Sequence, residues 1–328
     1  MKRITIGTRA SKLAMIQTNW VAEQLHRQWP DLEIEILQIR TTGDRVTNVP
    51  LSQIGGDGVF VTEIERALQE DRIDLAVHSL KDLPTAQPDG LRIVVPGPRE
   101  DVRDVFVSSL PVRLVDVRLH TNTVTHTALR IGTCSLRRTA QLRTICPDAQ
   151  ILSVRGNVDT RLRKLAAGDY DGIVLASAGL HRLNLHTSLS GRMTYFPVSE
   201  LLPAPGQGAL ALEIRDEPAM RALLAPLHDS AVQAATSAER MFMRRLGAGC
   251  YLPVAAHGSV VDGTLAVHGL VISLDGQQRV EVHQRIPWTP EHGVEYAEQL
   301  GVNLAEQALT QGADQIIRAL NNREHQYA

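Results

Sequence analysis

Basic side chains in this sequence recur at one kind of place, just beyond short apolar runs that read as strands. Arg9 and Lys12, with Ser11 between them, follow Arg3 to Gly7. Lys81 and Asp82 follow Ile73 to Val77, and Arg137 and Arg138 follow Leu129 to Thr133. Arg155 ends the run Gln150 to Val154, Arg161 lies one helical turn beyond Asn157, and Arg182 follows Gly172 to Ala176. In open parallel sheets, ligands bind beyond the carboxyl ends of the strands, where helix N-termini present free N–H groups to anions. A guanidinium is a planar fork matched to a carboxylate, so many convergent arginines suit a ligand with many carboxylates; phosphate fits the same charge. Taken singly, each arginine is more ordinarily a solvated helix face or half of a surface ion pair. Their shared placement is what argues for a ligand.

Two residues stand apart from this cationic set. Asp82, in HSLKDLPT, is a carboxylate within a ring of positive positions. It reads either as a turn aspartate ahead of Leu83-Pro84 or as a fixed negative charge that steadies a cation formed during a reaction. Cys250, in RRLGAGCYLPV, lies among small residues that let a bulky group approach the backbone. A free cysteine is usually a small buried hydrophobe, and Cys134 and Cys146 keep that reading. The Gly247-Ala248-Gly249 run makes Cys250 a plausible loop anchor, because a thiol attacks electrophilic carbon readily.

The elements that must position these groups follow from periodicity. A strand at Arg3 to Gly7 leads to a helix from about Ser11, with Leu13, Ile16, Trp20 and Val21 on one face, and then to an alternating strand at Glu33 to Arg40. After a glycine-containing loop, Thr41 to Gly58, come a helix at Val59 to Glu70 and the buried strand at Ile73 to Val77. The pattern restarts at Leu129 with strand, helix from Ser135, strand, helix from Asn157, and the strand Gly172 to Ala176. Ile6-Gly7-Thr8 with Ser11 echoes Ile131-Gly132-Thr133 with Ser135 at matching strand-to-helix junctions, so two similar lobes are expected. The segment LLPAPGQG, followed by the apolar strand Ala209 to Ile214, reads as a hinge crossing back to the first lobe. A helix at Ser230 to Leu246, strands near Pro253 to Gly258, Thr264 to Ser273 and Arg279 to Arg285, and a long helix from about Glu291 make a third, α+β domain. The expected division is 1–98 with 204–226, then 99–203, then 227–328.

Composition bounds the function. With 328 residues, 43% of them hydrophobic, the chain can bury two or three cores. The start, MKRITIGTRASKLA, holds no continuous apolar stretch, and no later run is long and apolar enough to cross a bilayer, so a cytoplasmic protein is expected. Three cysteines at long spacings indicate neither a disulfide framework nor a zinc site. A formal charge of -2 and 4% aromatics are unlike a protein that binds nucleic acid through a basic, base-stacking face.

An ordered series of blocks now becomes informative: GTRASKLA at 7–14, TTGD at 41–44, DLAVHSLKDLPT at 74–85, REDVRDVFV at 99–107 and IGTCSLRR at 131–138. It continues with VRGNVDTRL at 154–162, ASAGLHRL at 176–183, PAPGQGALALE at 203–213 and AERMFMRRLGAGC at 238–250. In order and spacing this series resembles the porphobilinogen deaminase family along nearly the whole chain. The resemblance implies an α/β fold of two similar lobes like those of type II periplasmic binding proteins, plus a C-terminal α+β domain. It implies a transferase of tetrapyrrole biosynthesis, working as a monomer, that condenses four porphobilinogen units head to tail with loss of ammonia and then releases hydroxymethylbilane. The primer would be a dipyrromethane held by Cys250 through a thioether, with no metal. Asp82 would be the catalytic aspartate. Carried over by position, Lys81, Ser135, Arg137 and Arg138 would hold the primer's carboxylates, with Asp82 beside them. Arg9, Ser11, Gln17, Arg155, Arg161 and Arg182 would serve incoming and growing rings, and Phe60 would belong to a lid.

The chain departs from the family pattern in places. The loop LSQIGGDGVF has Gln53 and Asp57 where lysines are usual, Ala248 stands for a usual glycine, and Ser108 to Thr127 is longer than expected. Two rivals follow. A non-enzymatic two-lobed anion-binding protein would share the fold, since fold does not fix function, and a deaminase-like relative without activity is favoured only by the altered loop. Asp82 and the Cys250 segment argue against the first.

Overall fold

The structure, a computed structural model, describes residues 2–45, 58, 61–108, 112–115, 118–121, 129–247 and 252–325. Of the expected features, Phe60, Gln53, Asp57, Ala248 and Cys250 lie outside the described residues.

The first sheet is built around β1 (Arg3–Thr8), which runs parallel to β2 (Glu33–Gln38) on one side and β3 (Leu75–Ser79) on the other. β12 (Leu210–Arg215) inserts antiparallel between β3 and β4 (Leu91–Val94). Ile4 and Ile6 of β1, Leu75 and Val77 of β3, and Leu210, Leu212 and Ile214 of β12 point to one face. There they meet Val21 and Leu25 of α1 (Lys12–Gln28) and the short α7 (Pro218–Leu224). The other face is covered by α3 (Thr62–Gln69), whose Ile64, Ala67 and Leu68 pack on Ile39, Ile73 and Ala76. That face also buries a polar pair, His78 Nε2 and Glu213 Oε2, 3.2 Å apart. Within the expected loop Thr41 to Gly58, α2 (Thr42–Arg45) is a single turn.

The second sheet repeats the first strand for strand. β8 (Arg130–Gly132) is parallel to β9 (Gln150–Leu152) and β10 (Gly172–Ala176), and β5 (Asp104–Ser108) inserts antiparallel between β10 and β11 (Met193–Tyr195). The helices α4 (Leu136–Ile145), α5 (Val158–Ala166) and α6 (Ser177–Arg182) follow β8, β9 and β10 in turn. β1 thus corresponds to β8 and β12 to β5, as the echoed junctions suggested. The chain enters the second lobe along β5 and returns to the first along β12. A hairpin of β6 (Val112–Val115) and β7 (Arg118–Thr121) occupies part of the long insertion.

The third unit is the antiparallel sheet β13 (Val254–Val261), β14 (Thr264–Ile272) and β15 (Arg279–Pro287). It packs on α8 (Ser230–Arg245) and α9 (Gly293–Ala308), with Phe242 fully buried among Val254, Val267, Leu300 and Leu304. The α/β architecture of two similar lobes plus an α+β unit is therefore as expected.

Three local expectations need correction. β3 begins at Leu75 rather than Ile73, because the Ile73 N–H turns back to Ala67 O at 3.3 Å instead of joining the sheet. On α1 the buried positions are Ala14, Gln17, Thr18, Val21 and Leu25, whereas Leu13, Ile16 and Trp20 are only half-buried. Leu13 instead reaches across to α6, where it lies beside Gly179. The long last helix is broken: Gly312 takes φ +100° between α9 and α10 (Asp314–His325), a conformation glycine adopts without strain.

Candidate active site between the two lobes

Both echoed serines sit where a helix needs its first free N–H groups satisfied. Ser11 Oγ accepts from Ala14 N at 3.3 Å, and Ser135 Oγ accepts from Arg138 N at 3.4 Å. These caps fix where α1 and α4 begin, and so where the basic residues beside them point.

The strongest convergence is centred on Asp104, a residue that the sequence reading passed over. It is fully buried at the start of β5. Its Oδ2 lies 2.7 Å from Arg137 Nη1, and its Oδ1 lies 2.7 Å from Arg138 Nη2. Burial alone would push this carboxyl up, but the charges of Arg137 and Arg138 outweigh it and hold the group well below the usual carboxylate range. Gln207, from the LLPAPGQG crossing, donates to Asp104 Oδ1 at 2.9 Å and accepts from Lys81 Nζ at 3.3 Å. Lys81 of the first lobe is thereby joined to Arg137 and Arg138 of the second. Burial, and then the neighbouring Arg138, pull its ammonium down to about 8, against the opposing pull of Asp82 and Asp104. Asp82 itself is exposed at the end of the single turn Leu80–Asp82 that follows β3. Lys81, the neighbour of Asp82 on that turn, thus joins Arg137 and Arg138 in one network.

The other arginines differ in how far the protein already uses them. Arg161 donates through Nε to Gly156 O at 2.7 Å and through Nη2 to Cys134 Sγ at 3.6 Å, beside Ser135. Arg182 donates to Gly208 O at 2.7 Å, and burial pulls it down to about 10, with Glu100 opposing. Arg155 Nη1 and Arg137 Nε are buried with no acceptor among the described residues. Buried donors are normally paired, so donors left over in a cationic region fit a ligand that brings its own acceptors. Gln17 is buried and donates to Ser79 Oγ at 2.9 Å, three residues before Asp82. Arg9 is half-buried at the end of β1.

A second group of unanticipated residues holds the lobes and the third unit together. Arg99 and Glu239 form a buried pair at 2.8 Å. Glu239 also accepts from Gly206 N and Gly258 N, each at 2.6 Å, while Arg99 donates to Gln207 O at 2.9 Å. The first crossing, the second crossing, α8 and β13 therefore meet at one ion pair. Farther along α8, Arg240 donates to Leu83 O at 3.2 Å and Pro84 O at 2.7 Å, so the helix that leads towards position 250 is tied to the loop behind Asp82. A cleft of about 770 Å³ lies on that rear side, lined by Arg92, Thr85, Gln233, Arg244 and Glu298. It is set apart from the Asp104 network, and we place the chemistry with the converging charges. Signals for these residues were present: Arg99, Glu100 and Asp104 stand in REDVRD, and Gln207 stands in the glycine-rich crossing.

A surplus of buried cations beside one exposed carboxylate can bind a polyacidic ligand and stabilise positive charge as it forms on that ligand. Among the described residues no group of side chains is arranged to hold a metal ion, and no helix is long and apolar enough to cross a membrane.

Residues 4–222 match the family model described as "Porphobilinogen deaminase, dipyromethane cofactor binding domain", and residues 234–310 match "Porphobilinogen deaminase, C-terminal domain". The chain is 46% identical over 319 residues to the porphobilinogen deaminase of Syntrophotalea carbinolica, covering 97% of this chain and 96% of that one. It is 41% identical over 329 residues to that of Geobacter sulfurreducens, covering 99% and 96% respectively. Among solved structures it is similar to the BenM effector binding domain with its effector benzoate, at 15% identity and a TM-score of 0.40, covering 69% of this chain and 90% of that one.

Proposed function

The chain belongs to the porphobilinogen deaminase family, and from that premise we propose that Asp82 and the basic residues of the two lobes condense porphobilinogen on a primer attached to Cys250. The enzyme is a transferase that joins porphobilinogen units head to tail with loss of ammonia and releases hydroxymethylbilane. Its cofactor is dipyrromethane. When bound, that group supplies the free pyrrole α-carbon to which each new unit is added.

The chain's own residues divide the remaining work. Lys81, Arg137 and Arg138, with Ser135 at the start of α4, hold the primer's carboxylates. The joined network of Lys81, Gln207, Asp104 and the two arginines beside the Asp82 turn is the observation that supports this reading most. Asp104 keeps both guanidinium groups in place, and Arg137 Nε remains a donor without an acceptor among the described residues. Arg9, Ser11, Gln17, Arg155, Arg161 and Arg182 serve the incoming and growing rings, and the buried Nη1 of Arg155, which has no acceptor among the described residues, supports its place in that set. Asp82 lies beside the carbon that becomes electron-poor as ammonia leaves. Its carboxylate stabilises that positive charge and accepts the pyrrole N–H, at a point where no protein cation need be removed. Each added ring brings two more acidic side chains into one cleft, which is why the site holds more arginines than one substrate requires. The working unit is a cytoplasmic monomer of three domains, 1–98 with 204–226, 99–203 and 227–328, that needs neither metal nor nucleic acid.

Intact-mass measurement of wild type, Cys250→Ser and Asp82→Asn, together with product assay, tests the assignment. Wild type and Asp82→Asn should carry the added mass of the primer, while Cys250→Ser should not. Turnover by Asp82→Asn should fall by roughly a hundredfold or more, the usual scale for a lost electrostatic stabiliser. Near-normal product formation by Asp82→Asn, or primer mass on Cys250→Ser, would refute it.

A further inference from the structure

We propose that His181 is a positioning residue for pyrrole binding: it holds Glu100 at the joint between the lobes and so sets the guanidinium of its neighbour Arg182. This rests on the reading above that Arg182 binds ring carboxylates. His181 Nδ1 lies 3.0 Å from Glu100 Oε1, and its Nε2 lies 3.2 Å from Ser177 Oγ and 3.1 Å from Tyr195 Oη. An ionised carboxylate can only accept, so Nδ1 carries a proton and donates to Glu100, while Nε2 faces two hydroxyls that can each donate or accept. The His186 ring meets the His181 ring edge-on at 4.8 Å, and Arg103 stacks over the Tyr195 ring at 4.4 Å. The imidazole is therefore held on every side.

What it holds is the joint. Glu100 belongs to the first crossing between the lobes and Gly208 to the second. The Glu100 N–H and the Arg182 guanidinium both donate to Gly208 O, at 3.1 Å and 2.7 Å. Glu100, His181, Arg182 and Gly208 thus close a ring of contacts that includes both crossings and the end of α6. Gly208 takes φ +87°, and a Cβ there would collide with the Glu100 carbonyl oxygen, so the approach of the two crossings requires glycine. Hydroxyl, imidazole and carboxylate stand here in the order of an acyl-transfer triad. Ser177, however, is fully buried, so no acyl group can reach it and the contact serves geometry. Glu100 Oε1 also accepts from the Asp101 N–H at 2.8 Å, so His181 is one of two groups that hold it; without His181 the carboxylate can turn about that remaining bond towards Arg182 and compete with the substrate for it.

The test uses purified holoenzyme, with the primer verified by intact mass and steady-state kinetics measured with porphobilinogen. His181→Phe, which keeps a ring but removes the donor, should raise KM about tenfold, the scale of one charge-assisted hydrogen bond, with kcat changed by less than about twofold. His181→Asn, which keeps an N–H at the Nδ1 position, should restore KM to within about threefold of wild type. In an Arg182→Ala background, His181→Phe should add nothing, as expected of two residues acting as one unit. A wild-type KM in His181→Phe, an Asn variant no better than the Phe variant, or full additivity in the double variant would overturn the inference. A wild-type KM in Arg182→Ala alone would instead sink the reading of Arg182 on which it rests. Where His181→Phe yields no folded protein, His181→Gln decides: its amide N–H falls at the Nε2 rather than the Nδ1 position, so it must raise KM in the same direction, and a wild-type value rejects the proposal.

Discussion

Lys81 is the cation in this site whose charge changes within an ordinary working range. Half-buried near Arg138 and tied to Gln207, it is protonated below about 8 and neutral above. A neutral amine no longer attracts a carboxylate. Primer assembly by primer-free protein should therefore slow as pH rises through about 8, by roughly tenfold at one unit above that value. Lys81→Arg should flatten this limb, because a guanidinium stays charged there; an unchanged pH profile in that variant would show that another group sets it. The places of Lys81, Asp82, Arg137 and Arg138 were legible in the sequence because each follows an apolar run that reads as a strand. Asp104 was not legible. An aspartate opening a strand looks like a turn residue, and Arg137 and Arg138 that neutralise it come from another element 33 and 34 residues away in the chain. The two capping serines show the converse. Their position before a helix was plain in the sequence, but residue type alone does not reveal that each hydroxyl already accepts from the backbone.

At the scale of elements, α3 carries a built-in dependence on pH. Glu65 lies over the sheet face that buries His78 and Glu213, and burial, then the negative charge of Glu213, push it up to about 7, with His78 opposing. A carboxyl raised from its ordinary 4.5 favours the folded state most when protonated. That contribution is fully present below about 4.5 and is lost as pH rises through about 7. Glu65→Gln should therefore melt a few degrees higher than wild type at pH 8 and at the same temperature near pH 4.5. Calorimetry at both pH values checks this, and equal melting temperatures at pH 8 would reject it. Most elements were visible as periodicity, and the errors have physical causes. The apolar face of α1 was drawn through Leu13, Ile16 and Trp20, but the start of that helix faces α6 of the other lobe, so its contacts could not be assigned to a single core. The break at Gly312 could have been read from the Gln-Gly-Ala-Asp sequence, in which a glycine precedes an acidic residue that opens the next helix.

At the scale of the molecule, one buried ion pair links all three units. Glu239→Gln leaves the Arg99 guanidinium buried without the carboxylate that neutralises it, at a cost on the order of 3 kcal/mol. The expected result is a lower melting temperature together with faster proteolytic cleavage at the crossings near Gly206; unchanged protease resistance would mean that the packing of α8 holds the third unit unaided. The restart of the strand–helix pattern made two lobes legible, whereas this hub was not, since its members come from four distant stretches of sequence.

The interleaving of β5 and β12 also governs when the enzyme can come into being during synthesis. Among the described strands β4 pairs only with β12, so the first sheet cannot close until residues 210–215 have left the ribosome. β5 is made early but must wait for β10 and β11, which end at Tyr195. A nascent chain of half length therefore contains neither lobe whole. Both are completed within a short interval late in translation, and only then can Asp82 and the arginines face each other.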